Sequence, residues 1–523
     1  NLGNTGYFSE VNPVFTTVPE GVKLDFAVTV NPITTGVSFE GNTVYTSEVL
    51  TKFMDLQPGQ VLNSVYVGQK VQGINAAYAR DGYMLAHVDG IRVDDQGVLH
   101  VHIVEGIVED IVPAGNKKTR DKVITREFVQ KKGKPFNKFL VRRSVERVYN
   151  LGFFDDVNVR MLPGDQDPNN VIIEIDVLEH KTGTITLGAG YSKSDGLMGI
   201  IEFGEDNFRG TGDKFKVHWE IGGKKKYKNY QISYLKPWID SKGTSLGFSF
   251  FNREDEYTDY NEDGNEVAEY NKKSRGFNIS FGRQTGEYTR DYLTLESRKD
   301  SYKWDDDDSS GFRYDKNAGK GKNWNNGSYN FANDKYVDKN FGRINSITWQ
   351  KVYDSRDNIY DPTRGRRISY TAQWAGHGLG GDFDFYKFTA EARMYKKLGA
   401  KNVLAFRARG GFIQGDAPYS QLFTLGGADS LRGYEDDQFR GKYMYNATLE
   451  FRFPIVKKVS GVLFTDIGDA WDAPNVTWYN SKKTFNYGVG AGVRITTPIG
   501  PVKLDYGVGK HKNKFHFSFG TQF

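Results

Sequence analysis

Tyr443-Met444-Tyr445-Asn446-Ala447-Thr448-Leu449-Glu450-Phe451-Arg452-Phe453 decides how this chain folds. Side chains alternate across an extended strand, so Tyr443, Tyr445, Ala447, Leu449, Phe451 and Phe453 share one face while Asn446, Thr448, Glu450 and Arg452 share the other. One face is greasy and the other charged, where a soluble sandwich would need its core. The same split separates Ile368, Tyr370, Ala372 and Trp374 from Arg367, Ser369, Thr371 and Gln373. At the carboxy terminus it separates Phe515, Phe517, Phe519 and Phe523 from His516, Ser518, Gly520 and Gln522. Such strands, nine or more residues long with aromatics near their ends, suit a tilted crossing of a bilayer.

The pattern begins near Lys181 and is punctuated by Gly, Asn and Asp turns. About 340 residues follow, and at roughly 20 per strand and connection they predict about 16 antiparallel strands, closed into a membrane β-barrel over 181–523. Closure satisfies every backbone group in lipid. From about Lys299 to Asn340 the chain is too polar to cross and reads as a long exposed loop; its Asp305–Asp308 run has calcium-type donors but reads as a solvated face.

Composition agrees with a barrel. The apolar fraction is 38% and mean hydropathy −0.59, and no apolar run is long enough for a membrane helix, yet aromatics reach 14%. The 70 basic and 65 acidic residues, net +5, are too evenly matched for a nucleic-acid footprint. With no cysteine there are no disulfides or thiolate metal sites. No HExxH, GxSxG or phosphate loop is present, so neither an enzyme nor a cofactor is expected. His511 and His516 read as structural.

The front third is repetitive. Gly41-Asn42-Thr43 and Gly115-Asn116-Lys117 each open a unit that runs strand, helix, helix, strand, strand. Each unit has a glycine-aromatic turn after its second helix, Gly82-Tyr83-Met84 and Gly152-Phe153-Phe154, and Gly6-Tyr7-Phe8 repeats that turn near the start. Glycine accepts the left-handed conformation that ends a helix, and the aromatic packs back. The expected domains are the carboxy-terminal part of one unit over 1–32, with upstream residues missing, then complete units over 33–107 and 108–180.

These units resemble the polypeptide-transport-associated (POTRA) module. Three barrel motifs extend the resemblance: Leu431-Arg432-Gly433-Tyr434 within a glycine-rich stretch, Phe464-Thr465-Asp466-Ile467-Gly468, and Gly500-Pro501-Val502-Lys503-Leu504-Asp505-Tyr506-Gly507. Together they resemble the BamA/TamA family of outer-membrane barrel insertases, in which the Arg-Gly-aromatic tip of a long loop folds inward. Alternation puts Asp505 on the inner wall, and Phe464 and Asp466 with it if Leu463 and Ile467 face lipid. A guanidinium in a polar lumen seeks a carboxylate of matching fork geometry. The resemblance therefore implies a loop anchor at Arg432, Gly433 and Tyr434, with wall partners Phe464, Asp466, Gly468 and Asp505. Tyr353–Asp357 with Pro362 and Gly365 resembles the family's mid-barrel hairpin, or is an ordinary charged turn.

The resemblance also implies a function: assembly of β-barrel clients into a bacterial outer membrane through a lateral seam between first and last strands, with the modules in the periplasm receiving clients by strand addition. The seam would involve Leu187, Gly188 and Gly190 on one side and Phe517, Phe519 and Phe523 on the other, because glycine weakens strand packing. Expected partners are unfolded outer-membrane proteins, accessory lipoproteins and outer-membrane lipid. A TamA-like role and a two-partner-secretion transporter remain open; a porin would leave the modules unexplained.

Overall fold

The computed structural model describes residues 2–192, 196–222, 227–260, 266–303, 341–358, 361–473, 482–497, 500–510 and 512–519. The Asp305–Asp308 run, His511 and Phe523 lie outside them. Two compact units emerge, one of residues 1–182 with 206–212 and one of 183–205 with 213–523.

In the first unit, β1 (Phe8–Val18) and β2 (Gly21–Val30) form an antiparallel hairpin. Next come β3 (Gly36–Glu40), α1 (Ser47–Met54), α2 (Ser64–Arg80), β4 (His87–Val93) and β5 (Val98–Val104). The order repeats in β6 (Val108–Ala114), α3 (Asp121–Thr125), α4 (Lys138–Tyr149), β7 (Phe154–Pro163) and β8 (Val171–Glu179). In each module the last strand is central, parallel to the first and antiparallel to the other. Helices α2 and α4 start where Asn63 and Asn137 cap them, accepting from Tyr66 N at 3.0 Å and Phe139 N at 2.9 Å. Their apolar stripes, Val67, Ile74 and Tyr78 in α2 and Val141 and Val148 in α4, are buried over the sheets.

The Gly-Asn repeat has a physical cause. A Cβ on Gly41 would overlap the carbonyl oxygen of Ile103, and one on Gly115 that of Val177, both glycines having positive φ. The neighbouring amides then meet a carboxylate: Glu105 accepts from Thr43 N at 2.8 Å and Val44 N at 2.9 Å, and Glu179 from Lys118 N at 2.8 Å and Thr119 N at 2.6 Å. The turn glycines also join modules. Asn31 Nδ2 and Ser64 N donate to Gly6 O at 2.8 Å, and Lys138 N donates to Gly82 O at 2.9 Å, so each turn seats on the start of the following module's second helix. The same unit takes in residues 206–212, where Asn207 Nδ2 donates to Thr119 Oγ1 at 2.8 Å.

The second unit is a sixteen-stranded antiparallel sheet curled into a barrel. Its strands begin with β9 (Gly183–Ser192), β10 (Gly196–Phe208), β11 (Asp213–Gly222), β12 (Tyr227–Lys236), β13 (Ser245–Tyr260) and β14 (Glu266–Gly286). They continue with β15 (Thr289–Lys303), β16 (Arg343–Asp354), β17 (Gly365–Ala375), β18 (Phe385–Leu398) and β19 (Asn402–Gly415). Two short strands, β20 (Phe423–Leu425) and β21 (Phe439–Gly441), pair with each other within one long connection. The sheet resumes with β22 (Tyr443–Val456), β23 (Val459–Trp471), β24 (Asn486–Thr497), β25 (Gly500–Val508) and β26 (Asn513–Phe519). Sequence neighbours pair throughout, β19 joining β22 across the long connection. Burial alternates in β22 as the sequence requires: Tyr443 and Leu449 are exposed, while Asn446, Thr448, Glu450 and Arg452 are buried.

One boundary needs correction. The loop expected from Lys299 begins later, because β15 runs to Lys303 and pairs with β14 as far as Lys303↔Asn271. Inward Asp300 makes this possible, accepting from Ser274 Oγ at 2.7 Å. Polar residues facing a lumen extend a strand that hydropathy alone would end. At Tyr353–Asp357 the chain makes a turn closed by its own charges, with Arg356 forking onto Asp354 at 2.8 and 2.7 Å.

Candidate functional site: the luminal loop and the wall that holds it

Residues 416–442 fold back into the barrel. The loop has its own apolar centre, with Leu422, Phe423, Leu425, Leu431 and Phe439 buried against Phe385, Ile413 and Met444. That packing presents Arg432, only 3% exposed, to the inner faces of β22 to β25.

Arg432 grips Asp466 twice, Nε to Oδ2 at 2.8 Å and Nη2 to Oδ1 at 2.9 Å, and its backbone N also donates to Oδ2 at 3.1 Å. Nη1 donates to Glu450 Oε1 at 2.8 Å and reaches Asp505 Oδ2 at 3.4 Å. The guanidinium lies 3.4 Å from the centroid of Phe464. Arg494 forks onto Asp505 at 2.6 and 3.0 Å, and Arg452 Nε donates to Glu450 Oε2 at 2.9 Å. Three cations therefore face three carboxylates, all buried. Removing one partner of such a set leaves an uncompensated charge, a cost of about 3–5 kcal/mol.

Glycines let the loop come this close. Gly433 has φ 97°, and a Cβ there would lie 2.6 Å from Gly509 N. On the wall, a Cβ on Gly488 would overlap the Arg432 carbonyl oxygen. Tyr434 OH donates to Tyr487 O at 3.0 Å and accepts from Lys510 N at 3.0 Å. Gly468 pairs with Asn446 on β22 and has no contact with Arg432 among those described.

Sequence reasoning missed several residues that belong here, Arg494, Glu450 and His516 among them. Glu450 already lay on the polar face of its strand, but nothing in the sequence said that Arg432 would reach it. His516 on β26, read as structural, turns inward and accepts from Gly433 N through Nε2 at 3.0 Å. Lys514 pairs with Glu435 on the same strand's inner side. The loop tip thus touches the last strand of the sheet.

The two ends of the sheet differ from its middle. No ladder joins β9 and β26 among the described residues. On β9, Ile185 and Leu187 are 72% and 75% exposed, whereas their cross-strand partners Phe203 and Ile201 are 41% and 39%. On β26, Phe515 and Phe517 are 60% and 56% exposed. The excess on β9 fits a strand covered on one side only, whereas the β26 values match Phe250 of mid-sheet β13, 58% exposed. Gly188 and Gly190 pair with Ile200 and Met198 of β10, and Phe519 with Val502 of β25.

Serial α/β modules ahead of a sixteen-stranded antiparallel barrel, with an arginine-tipped loop locked to the inner wall, define a class of modular membrane barrels. The Omp85 superfamily domain model matches residues 207–523, and the POTRA model, described as a surface antigen variable number repeat, matches 32–106 and 107–180. The chain belongs to the Omp85 superfamily. It is 26% identical over 96% of its length to an outer membrane protein assembly factor BamA of Nitratidesulfovibrio vulgaris, of whose length it spans 64%. It is 24% identical over 99% of its length to a chloroplastic outer envelope protein 80 of Arabidopsis thaliana, covering 71% of that protein. The fold is similar to the crystal structure of Haemophilus ducreyi BamA lacking POTRA domains 1–3, with a TM-score of 0.63 and 20% identity over 94% of this chain and 100% of that one.

Proposed function

We propose that this protein is an outer-membrane protein assembly factor, folding barrel clients into a bacterial outer membrane with its modules in the periplasm. The observation that carries the reading is the pair of sheet ends: β9 and β26 share no ladder among the described residues, and β9 bears the over-exposed Ile185 and Leu187. A client strand adds to such an edge through main-chain hydrogen bonds, which tolerate varied sequences. Leu187, Gly188, Gly190, Phe517 and Phe519 form the lateral seam in this reading, Phe523 lying outside the described residues. The modules offer further strand edges to unfolded clients and dock accessory lipoproteins. Arg432, Gly433 and Tyr434 anchor the loop that braces the wall beside the seam, and no covalent chemistry is involved. The assembly-factor relatives support the reading.

Purified protein in lipid vesicles tests it, with an unfolded barrel client followed by its gain of heat-resistant electrophoretic mobility. Faster folding than in empty vesicles is expected. Folding no faster, even with accessory proteins supplied, replaces the reading with a polypeptide transporter. Arg432→Ala should leave the barrel folded and lower the rate; full activity would remove the loop anchor from the mechanism. A reversible disulfide between β9 and β26 should block assembly until reduced; unchanged activity when oxidised would remove lateral opening.

A further inference from the structure

The wall formed by β17, β18 and β19 is charged differently from the wall that holds the loop. Arg367, Arg393 and Arg407 stand directly opposite one another across three strands, Arg367↔Arg393 and Arg393↔Arg407. Like charges in direct cross-strand register destabilise a sheet. Arg409 and Lys387 occupy inward positions on the same strands, and Glu391 is the inward carboxylate among them.

Glu391 is fully engaged. Oε1 accepts from Arg367 Nη1 at 3.2 Å and Arg393 Nε at 2.5 Å, while Oε2 accepts from Arg407 Nε at 3.0 Å and Nη2 at 2.8 Å. Four donors fill the lone-pair positions of one carboxylate. Arg409 lies opposite Glu391 in register, yet its buried Nε has no hydrogen-bond partner among the described residues. Lys387 gives its ammonium to the carbonyl of Gln421 at 2.7 Å and to the face of Phe423, which leaves its charge uncancelled. Five cations thus have one carboxylate on their own strands, while Asp354, opposite Arg367 on β16, is already forked by Arg356, and Asp429 of the loop already accepts from Lys503. Arg407 and Arg409 border a cavity of about 470 Å³ reaching the inner side of β26. The loop adds Asp429, Asp436 and Asp437 to its lining, and Lys503 holds the Asp429 carboxylate at 2.8 Å.

We propose that this arginine wall is a binding site for a water-soluble oxyanion of the phosphate class. Guanidinium forks match phosphate oxygens in pairs, and with Arg407 spent on Glu391 and the Asp429 carbonyl, the neighbouring Arg393 and Arg409 favour a multiply charged anion over chloride. The side chains face the lumen, so the anion arrives through water rather than from the lipid.

Titration calorimetry of the full chain in detergent with inorganic pyrophosphate tests this. Saturable binding that weakens steeply with added salt is expected. The Arg393→Gln/Arg409→Gln double variant should bind at least ten-fold more weakly, while Arg160→Gln, which removes an exposed module cation, should bind as the parent does. Arg393→Lys, keeping charge without the fork, should fall between. Heat-resistant mobility of each variant establishes that its barrel is folded. Absence of saturable heat in the parent, unchanged affinity in the folded double variant, or equal weakening by Arg160→Gln would each overturn the proposal.

Discussion

Both the modules and the barrel hold a loop in place with a carboxylate, by different means. Glu105 and Glu179 each accept backbone amides from a turn in their own module. Asp466 accepts a backbone amide too, but also a guanidinium that is shared with Glu450 and Asp505 on other strands. In the modules each carboxylate bonds within its own module, Glu105 also accepting from Tyr78 OH on α2 at 2.9 Å, and its loss stays local. Around Arg432 every charge is balanced by others, so a single deletion unsettles a wall of four strands.

The largest effect should follow removal of charge from the shared set. Asp466→Asn is expected to destabilise the docked loop by about 3–5 kcal/mol, since a buried cation loses its fork partner. Limited proteolysis within residues 416–442 measures it, and a loop as resistant as the parent's would make the barrel carboxylate as local as those of the modules. Gly488→Val should release the loop without touching any charge, because the new side chain occupies the place of the Arg432 carbonyl; persistent docking by the same assay would show that the wall can yield. His516→Leu strands Gly433 N, at a cost of about 1–3 kcal/mol, and His516→Gln should restore part of it through its amide oxygen.

The smallest effect belongs to the modules. Glu179→Gln should cost about 1–2 kcal/mol, read from urea unfolding by the helix circular-dichroism signal, since the described α-helices all lie in the modules. Burial pushes the Glu179 carboxyl up, but donation from Thr119, Lys118 and Lys117 outweighs it and holds the carboxyl below its usual range. A lowered folded-state pKa means that the stabilisation is present above the unfolded value and lost as pH falls through the folded one. The gap between parent and Glu179→Gln should therefore close on acidification; a constant gap would assign the role to shape rather than charge.

Much of this was legible in the sequence because two periodicities are strong. Alternation in Tyr443–Phe453 sets its strand and faces, and the recurrence of Gly41-Asn42 at Gly115-Asn116 marks the modules. Arg432, Asp466 and Asp505 were legible too, as one guanidinium and two inward carboxylates. What escaped depends on distance in space. The contact of Arg432 with Glu450 requires knowing how far across the wall the loop reaches, and that of Gly433 with His516 joins residues 83 apart in sequence. The last residues of β15 escaped because polarity means loop in water but strand beside a lumen. Glu105 and Glu179 stood in plain sight at matching positions, yet their partners are backbone amides and neutral hydroxyls such as those of Thr43 and Tyr78, which carry no opposite charge to betray them.

The joints between modules carry a consequence for heredity. The turn at Gly6 meets the helix start at Asn63 and Ser64, and the turn at Gly82 meets the one at Asn137 and Lys138, through backbone groups and a repeated asparagine. An in-frame loss or duplication of one unit would rejoin a turn to a socket of the same chemistry, so the array can change length in a single genetic step without inventing a new interface.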